Sequence, residues 1–294
     1  MATTRKRKPS STCIGIVYRE HTEKAIQAAI EVTNWLRERK HTVYTLPDQK
    51  LVPNTLLLKT PQAWKKIGLI VVLGGDGTYL RAASYIHGRK IPVIGFNMGS
   101  LGFLTNFSAD QVFPTLEKTL QGEMEMHPRT LLEASIFKNQ KKIKTFLALN
   151  DIVIERGSFS HLINTSIYSE KFFVSQVKAD GLIIATPTGS TAYNLAAGGP
   201  LIYPDSKAVV LTPIAPHSLN SRPIIFPEDR NMSFKLEGKE TRAHFIVDGQ
   251  HKIEISSENE VVIEKSHQFH WVVRSPSHNF FHLLREKLKF GDRS

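Results

Sequence analysis

The sequence predicts a mixed α/β protein with an N-terminal parallel-sheet domain, a β-rich second domain and a C-terminal helix. Three observations predict this class. Apolar strands alternate with helical segments up to about residue 125, short strands separated by turn residues follow, and helical spacing returns near the C-terminus. Alternating strands and helices are typical of a parallel sheet covered by helices, whereas a run of strands indicates a separate β layer.

The first domain is organised around one strand, turn and helix. Residues 69–73 form a continuous apolar run, as expected for a strand buried on both faces of a parallel sheet. Residues 74–77 are Gly-Gly-Asp-Gly, and apolar residues at helical spacing follow Thr78. This layout presents backbone N–H groups to a phosphate, and glycine allows positive φ and lets the phosphate approach the main chain closely. We therefore expect a phosphate site at this turn.

The carboxylate of Asp76 is the unusual group in this turn. A carboxylate repels phosphate, so a turn built only to hold phosphate is expected to lack one. Its presence suggests chemistry at the phosphate, either as a general base or through a metal. The alternative is a tight βα turn in which Asp76 is an ordinary turn residue.

Further signals extend this Rossmann-like domain over residues 12–125. Residues 23–40 carry apolar side chains at the spacing of an amphipathic helix. Ser108, with Gln111 three residues later, predicts a capping box, and Gly122 is a natural end for the helix that follows. The other strands predicted in this domain are 13–18, 42–46 and 92–96.

The pattern changes after Met126. Helical periodicity is scarce there, and turn residues separate short apolar strands, which indicates a β-sandwich-like domain over residues 126–272. Helical spacing returns in residues 279–290, within a C-terminal segment 273–294 that we assign to the first domain. The strands predicted in the second domain are 131–137, 142–147, 152–155, 162–168 and 172–177.

Composition limits the class of protein. Hydrophobic content of 41% and charged content of 22% are ordinary for a globular protein. The single cysteine, Cys13, excludes an internal disulfide framework and suits a reducing compartment. No apolar run approaches the length that spans a bilayer, so we expect a cytoplasmic protein.

The net charge of +11 is compatible with nucleic acid, an anionic membrane or polyanionic small substrates as partners. Basic residues cluster only in residues 1–11 and are otherwise scattered. No apolar segment of the secretory type follows this N-terminal cluster. We expect a disordered, solvated tail there, with a nucleic-acid or targeting tail as the alternative.

Several sequence blocks resemble those of the NAD kinase family. Gly-Gly-Asp-Gly-Thr at 74–78 is similar to the turn of a superfamily that also includes diacylglycerol-type lipid kinases and phosphofructokinases. The blocks that narrow the resemblance are Gly-Phe-Asn-Met-Gly-Ser-Leu-Gly-Phe-Leu at 95–104, Asn150-Asp151, the stretch 180–194 with Gly198-Gly199-Pro200, the stretch 215–223, and Asp248-Gly249-Gln250. Their order over about residues 14–291 makes the resemblance specific.

The resemblance implies an ATP-dependent kinase that transfers the γ-phosphoryl group to the 2′-hydroxyl of the adenosine ribose of NAD, giving NADP. It implies that the C-terminal segment packs back onto the first domain. It also implies that Asp76 is catalytic, because it takes or orients the proton of that hydroxyl. The implied ATP-phosphate residues are Gly74, Gly75, Gly77 and Thr78. The implied NAD contacts are Asp76, Gly77, Phe103, Asn150, Asp151, His161, Lys178, Asp180, Thr188, Thr191, Ala192, Tyr193, Asn194, Ala196 and Gln250.

Asn150 and Asp151 lie between two apolar runs, so they form either a tight turn or a binding pair at a sheet edge. The resemblance implies that they hydrogen-bond the hydroxyls of the adenosine ribose. An amide and a carboxylate suit a diol, because hydroxyl groups both donate and accept. Asp151 stands where the family usually has glutamate, which is one methylene longer.

Other implied contacts also have simpler explanations. The loop 188–193 offers hydroxyl groups to a dinucleotide, but a hydroxyl-rich loop also caps helices. His161 is as well explained by a surface hairpin as by binding. Phe103, which matches an aromatic residue of the adenine pocket, is alternatively a core residue.

No cysteine cluster or His-x-x-x-His pair indicates a metal site held by the protein. Phosphoryl transfer needs a cation, so we expect Mg²⁺ or another divalent cation to arrive with ATP. The resemblance implies a homo-oligomer, a dimer or tetramer, with NAD and ATP as substrates and neither nucleic acid nor membrane as a partner. The alternatives are a lipid kinase, which needs neither Asn150-Asp151 nor the stretch 180–193, and a non-catalytic binder of dinucleotide or nucleic acid.

Overall fold

A computed structural model describes residues 5–6, 9, 12–157, 161–277, 279–289 and 291. The chain divides into two compact units, Met1–Pro128 with His270–Ser294, and Arg129–Phe269. The domain boundaries predicted from sequence lie between residues 125 and 126 and between residues 272 and 273. The boundaries of the compact units lie after Pro128 and before His270. Most of the predicted tail 1–11 lies outside the described residues, although Arg5–Lys6 pairs antiparallel with Glu125 and Met126.

The first unit contains a parallel sheet. Its strands pair in the spatial order Pro92–Asn97, Ile67–Leu73, Cys13–Tyr18, Thr42–Thr45 and Leu56–Leu57. At the Pro92–Asn97 edge, the end of strand Asn259–Arg274 pairs parallel through Trp271 and Val272, and the short strand Phe107–Ser108 also pairs parallel. Its helices are Glu23–Glu38, Pro61–Lys66, Asp76–Ile86, Val112–Gln121 and Phe280–Leu288, with a 3-10 turn at Ala109–Gln111.

Local sequence explains why these elements form. Every residue of the central strand Ile67–Leu73 is buried, which confirms the predicted double-faced burial. The capping box of Ser108 and Gln111 is present, and it precedes the helix that ends at Gly122 with a left-handed φ of 84°. The helix after the glycine turn begins at Asp76, two positions before the predicted Thr78, with Gly75 as its N-cap.

The second unit contains two antiparallel sheets. One sheet has the spatial order Ile224–Pro227, Ala208–Ile214, Gly181–Ala185, Asp151–Arg156, Arg242–Val247 and His251–Ser256. The strands of the other sheet in this unit are Phe172–Ala179, Ile163–Ser169, Met232–Leu236 and the start of Asn259–Arg274, together with the hairpin formed by Glu125–Lys138 and Lys141–Ala148. Gly189–Thr191 and Tyr193–Ala196 are short helical turns.

Apolar residues of both sheets of the second unit form one core, which includes Ile136, Ile154, Ile167, Leu182 and Phe245. This packing confirms the predicted β-rich second domain. The predicted return of the C-terminal helix to the first domain is also confirmed, because Phe280–Leu288 lies in the first unit. Among the described residues, no helix combines the length and apolar character needed to cross a membrane.

Candidate active site

The glycine turn places Asp76 at the first position of a helix. A Cβ on Gly74 would lie 2.5 Å from the Thr78 hydroxyl oxygen, so glycine allows the turn to close on that side chain. A Cβ on Gly75 or Gly77 would meet no atom of the described residues within 4 Å, and none of the three glycines has positive φ. The expected use of positive φ is therefore wrong. Close approach explains Gly74, and open space beside the N-terminal N–H groups remains available to a phosphate at the other two.

Backbone donors surround the carboxylate of Asp76. The N–H groups of Phe103, Leu104 and Thr105 donate to it at 2.9, 3.0 and 3.1 Å, and the Thr105 hydroxyl donates at 3.2 Å. A Cβ on Gly102 would overlap the Asp76 carboxylate, so only glycine permits this approach. The block 95–104, whose sequence resembles that of NAD kinases, thus supplies much of the loop that holds Asp76.

The C-terminal helix adds a cation to the same carboxylate. Lys287 Nζ lies 3.6 Å from Asp76 Oδ2, and both side chains are 30% exposed. The same ammonium group lies 4.9 Å from the centre of the Phe103 ring. Phe103 is half-buried, so it is neither a plain core residue nor a fully open surface. Lys287 belongs to this centre, although nothing in the sequence indicated it.

A second polar centre forms in the β-rich unit around Asn150 and Asp151. Both residues are buried, at 7% and 5% exposure, at the start of strand Asp151–Arg156. Asn150 Oδ1 is buried and has no hydrogen-bond partner among the residues that the structure describes. A buried acceptor without a partner costs free energy of about 1–3 kcal/mol, so this atom is suited to a donor supplied by a ligand.

Asp248 holds the main chain of this pair. Its carboxylate accepts hydrogen bonds from the N–H groups of Leu149, Asn150 and Asp151 at 2.8, 2.7 and 3.0 Å. Burial, with a smaller contribution from the Asp248 charge, raises the pKa of Asp151 to about 7. Burial also raises the pKa of Asp248 to about 6, although its three backbone hydrogen bonds act in the opposite direction. The two carboxyl groups therefore carry less than two full charges near neutral pH.

The threonine-rich loop packs directly against this pair. The Thr186 N–H donates to the Asn150 carbonyl at 2.9 Å, and the Thr186 hydroxyl donates to the Leu149 carbonyl at 2.6 Å. A Cβ on Gly189 would overlap the Asn150 main chain. Two motifs that are far apart in sequence thus form one cluster, in which Thr188 and Thr191 are half-buried.

Asp180 and Tyr193 line a cleft of about 300 Å³ in the same unit. Glu155, Arg156 and His244 are among the other residues that line it. The Arg156 guanidinium lies 2.6 Å from the Asp180 carboxylate. Burial, followed by the negative charges of Glu155, Asp151 and Asp180, raises the pKa of the half-exposed Tyr193. The predicted contacts that are exposed at the surface of this unit are His161, Lys178, Ala196 and Gln250, while Ala192 is half-buried.

Asn194 differs from the other predicted contacts because its side chain is fully buried. Its amide donates to the carbonyls of Ser190 and Pro200 at 3.0 and 3.1 Å, and its oxygen accepts from the Thr212 hydroxyl at 2.7 Å. This geometry favours support of the loop over the contact with the dinucleotide that we predicted from sequence.

Within the described part of the chain, no group of three or more His, Cys, Asp or Glu side chains is arranged to hold a metal ion. The residues that sequence reasoning did not select are Thr105, Lys287, Thr186 and Asp248. Asp248 stands in a quoted block, and its Asp-Gly pair is a hairpin signal, but no local pattern links it to residues 149–151.

Comparisons with known proteins match both parts of the chain. The sequence family of the ATP-NAD kinase N-terminal domain matches residues 14–124, and the sequence family of the ATP-NAD kinase C-terminal domain matches residues 149–275. The chain is 57% identical over 281 residues to an NAD kinase of Bdellovibrio bacteriovorus, covering 96% of this chain and 93% of that one. It is 39% identical over 280 residues to an NAD kinase of Solibacter usitatus, covering 95% and 98%.

Solved structures give the same result. A yeast NADH kinase complexed with NADH superposes with a TM-score of 0.88 at 27% identity, covering 98% of this chain and 90% of that one. An NAD kinase from Archaeoglobus fulgidus in complex with ATP superposes with a TM-score of 0.73 at 25% identity, covering 93% and 98%. Both family domains match this chain, and its identity to a relative is high over nearly the whole length of that relative. The chain therefore belongs to the NAD kinase family, a family of ATP-dependent kinases.

Proposed function

We propose that this protein transfers the γ-phosphoryl group of ATP to the 2′-hydroxyl of the adenosine ribose of NAD, giving NADP. The observation that carries the proposal is the buried Oδ1 of Asn150, which has no hydrogen-bond partner in the described part of the chain, beside the buried carboxyl group of Asp151. Two acceptors at a loop edge suit the vicinal hydroxyls of a ribose, because each hydroxyl can donate to one of them. The 2′-hydroxyl is thereby held for attack on phosphorus.

The glycine turn of the first unit suits the donor nucleotide. The N-terminal N–H groups of helix Asp76–Ile86, beside the open space at Gly75 and Gly77, bind phosphate oxygens, and the Thr78 hydroxyl adds a donor. Asp76 takes the proton of the attacking hydroxyl or orients that hydroxyl toward the γ-phosphorus. Its oxygens already accept four hydrogen bonds, so its position is set before substrate binds.

The half-buried loop residues Thr188, Thr191 and Ala192, with Tyr193 and Asp180 at the small cleft, contact the remainder of the dinucleotide. Further contacts with the dinucleotide come from exposed residues of the same unit, namely His161, Lys178, Ala196 and Gln250. Phe103 supplies an aromatic face for a base. A divalent cation such as Mg²⁺, bound with ATP, would neutralise phosphate charge, and phosphate oxygens would supply most of its ligands.

The position of phosphorylation can be tested directly with NAD analogues. Incubation of the purified protein with ATP, MgCl₂ and NAD should yield NADP, detected by mass spectrometry. NAD that lacks the adenosine 2′-hydroxyl should give no product, whereas NAD that lacks the 3′-hydroxyl should retain turnover. NADP itself should be a poor acceptor. Phosphorylation of the 2′-deoxy analogue or of NADP at the rate of NAD would place the acceptor hydroxyl elsewhere. Diacylglycerol serves as the control acceptor for the disfavoured lipid-kinase alternative.

We also propose that the protein is a cytoplasmic homo-oligomer. Support comes from two sheet edges of the second unit, where Phe172 and Phe173 are 67% and 60% exposed and Ile225 is 56% exposed. Exposed apolar residues on edge strands favour association with another copy. Light scattering coupled to size-exclusion chromatography should give the mass of a dimer or tetramer, and Phe172→Lys with Phe173→Lys should lower that mass. A monomer at micromolar concentration would contradict this proposal.

A further inference from the structure

Asp248 is explained locally as a turn residue. It is the first of three residues that connect strands Arg242–Val247 and His251–Ser256, and both it and Gly249 have positive φ, at 50° and 63°. The Gln250 N–H donates to the Val247 carbonyl at 2.9 Å and closes the turn. Asp-Gly is a preferred pair where both central residues of a turn have positive φ. The turn itself does not require the Asp248 carboxylate, because Asn-Gly forms it equally well.

The carboxylate instead acts on a segment about 100 positions earlier. It accepts the three consecutive N–H groups of Leu149, Asn150 and Asp151, at separations of 99, 98 and 97 positions. The Asp248 N–H in turn donates to the Asp151 carbonyl at 2.9 Å. Four hydrogen bonds therefore join the hairpin turn to the main chain that carries Asn150 and Asp151. Asp248 is 8% exposed, so water does not replace these bonds easily.

This arrangement determines where the two side chains of the pair lie. Because the three N–H groups are used by one carboxylate, the segment 149–151 has a single backbone course as it enters strand Asp151–Arg156. The Thr186 hydroxyl and N–H also donate to the carbonyls of Leu149 and Asn150. These hydrogen bonds use main-chain atoms of residues 149–151, so the side chains of Asn150 and Asp151 remain available for a ligand.

We propose that Asp248 is a positioning residue for NAD, which acts by holding the main chain of residues 149–151 so that Asn150 and Asp151 meet the adenosine ribose. The proposal rests on the function proposed above. Asp248 itself need not contact the substrate. A carboxylate suits this role because it has acceptor lone pairs for three donors, whereas an asparagine would turn an NH₂ group toward at least one backbone N–H.

Asp248→Asn is therefore an informative variant, because it retains the turn preference and replaces one of the two acceptor oxygens with an NH₂ donor. Glu240→Gln is its matched control. Glu240 is exposed, also has positive φ, at 60°, and lies in another turn of the same unit, so the change likewise removes one carboxylate charge. Both variants are assayed in the full-length protein with NAD and ATP varied separately, and NAD binding is measured by calorimetry without ATP.

We expect Asp248→Asn to raise the KM and Kd for NAD roughly 10- to 100-fold, as for donors left unsatisfied in a buried site, while the KM for ATP stays within about twofold. Glu240→Gln should match the wild type in both. An unchanged KM for NAD, or an equal rise for both substrates, would overturn the proposal and leave Asp248 as a turn residue or a general stabilising group.

Two further measurements keep the test decisive. Hydrogen exchange of the 149–151 amides should accelerate at least about tenfold in Asp248→Asn, with strand Ile163–Ser169 unchanged. Unchanged exchange at 149–151 would contradict the mechanism. If Asp248→Asn does not fold, Asp248→Glu keeps the charge but displaces it by one methylene, and the same separation of NAD from ATP effects is expected. Calorimetric binding of NAD reports on Asp248 even if the wild type phosphorylates a different hydroxyl, so failure of this proposal is distinguishable from failure of the proposed function.

Discussion

Asp76 in the first unit and Asp151 in the second are both held by hydrogen bonds between backbone N–H groups and a carboxylate remote in sequence, but the carboxylate is that of Asp76 itself in one case and that of Asp248 in the other. Asp76 accepts the N–H groups of residues 103–105 on its own carboxylate and has Lys287 beside it. At the other centre Asp248 accepts the N–H groups, and the Asp151 carboxyl group faces a second acid. The fold thus supplies donors and a cation to the Asp76 carboxylate, whereas no described residue donates a hydrogen bond or an ion pair to the Asp151 carboxyl group.

The difference teaches what each carboxyl group can do. A carboxylate with several donors is fixed in place, so Asp76 is suited to orient or deprotonate a group that is brought to it. A buried carboxyl group whose neighbour is another carboxylate gains from any new donor, so Asp151 is suited to receive a ribose hydroxyl. We therefore expect substitutions of Asp76 to lower kcat and substitutions of Asp151 to weaken the binding of NAD.

Asp76→Asn should have the largest effect. The amide loses the basic oxygen and turns an NH₂ group toward the N–H donors of residues 103–105. We expect kcat to fall roughly 10²- to 10⁴-fold, the range for loss of a general base, with little change in the Kd for NAD. Steady-state kinetics and calorimetry on the same preparation measure both. Turnover close to that of the wild type would remove Asp76 from the catalytic step.

Gly102→Ala should damage the same centre without altering any reacting group. Its Cβ would overlap the Asp76 carboxylate and the Thr105 hydroxyl, so the loop and Asp76 must move apart. We expect kcat to fall by up to about 10²-fold, as for displacement of a catalytic group by about 1 Å. Gly99→Ala is the matched control in the same loop, because a Cβ there meets nothing within 4 Å. Equal activity of the two variants would show that the donor cradle is dispensable.

Asp151→Ala should act on recognition instead. Loss of a charge-assisted acceptor, worth about 1.5–3 kcal/mol, should raise the KM for NAD roughly 10- to 100-fold and leave the KM for ATP nearly unchanged. Asp151→Glu tests the shorter side chain found here. If the backbone course matches that of relatives with glutamate, most activity remains. An unchanged KM for NAD in folded Asp151→Ala would reduce Asp151 to a turn residue and remove the contrast between the centres.

The smallest expected effect concerns stability and pH. Folding raises the pKa of Asp151 from 3.8 to about 7 and that of Asp248 to about 6. The folded state therefore binds more protons than the unfolded chain between about pH 4 and pH 7, and the contribution is lost as pH rises through the folded pKa. Relative to Asp151→Asn, the wild type should lose at least about 1 kcal/mol of unfolding free energy between pH 5 and pH 8.

Urea unfolding at both pH values measures this difference, and Glu240→Gln should follow the wild type because its carboxyl group is exposed. A constant difference between Asp151→Asn and the wild type at the two pH values would mean that Asp151 titrates alike in the folded and unfolded chains. The contrast with Asp76 would then rest on hydrogen bonding alone.

The sequence alone predicted the elements whose signals are local. The strand Ile67–Leu73, the glycine turn with Asp76, the capping box of Ser108 and Gln111, and the β-rich second unit all follow from apolar periodicity and turn chemistry. It also selected Asn150 and Asp151, through their resemblance to a family block. These features depend on residues within a few positions of each other, so a short window contains the information.

Only the tertiary structure decided what those residues touch. The donors of residues 103–105 reach Asp76 across 27 to 29 positions, Lys287 reaches it from the C-terminal helix, and Asp248 reaches residues 149–151 across almost 100. Asn194, selected as a ligand contact, proved to be buried with its amide used within the fold. Such contacts depend on the path of the whole chain, because the strands that become neighbours determine the partners of a side chain. Local periodicity contains no information about which strands become neighbours.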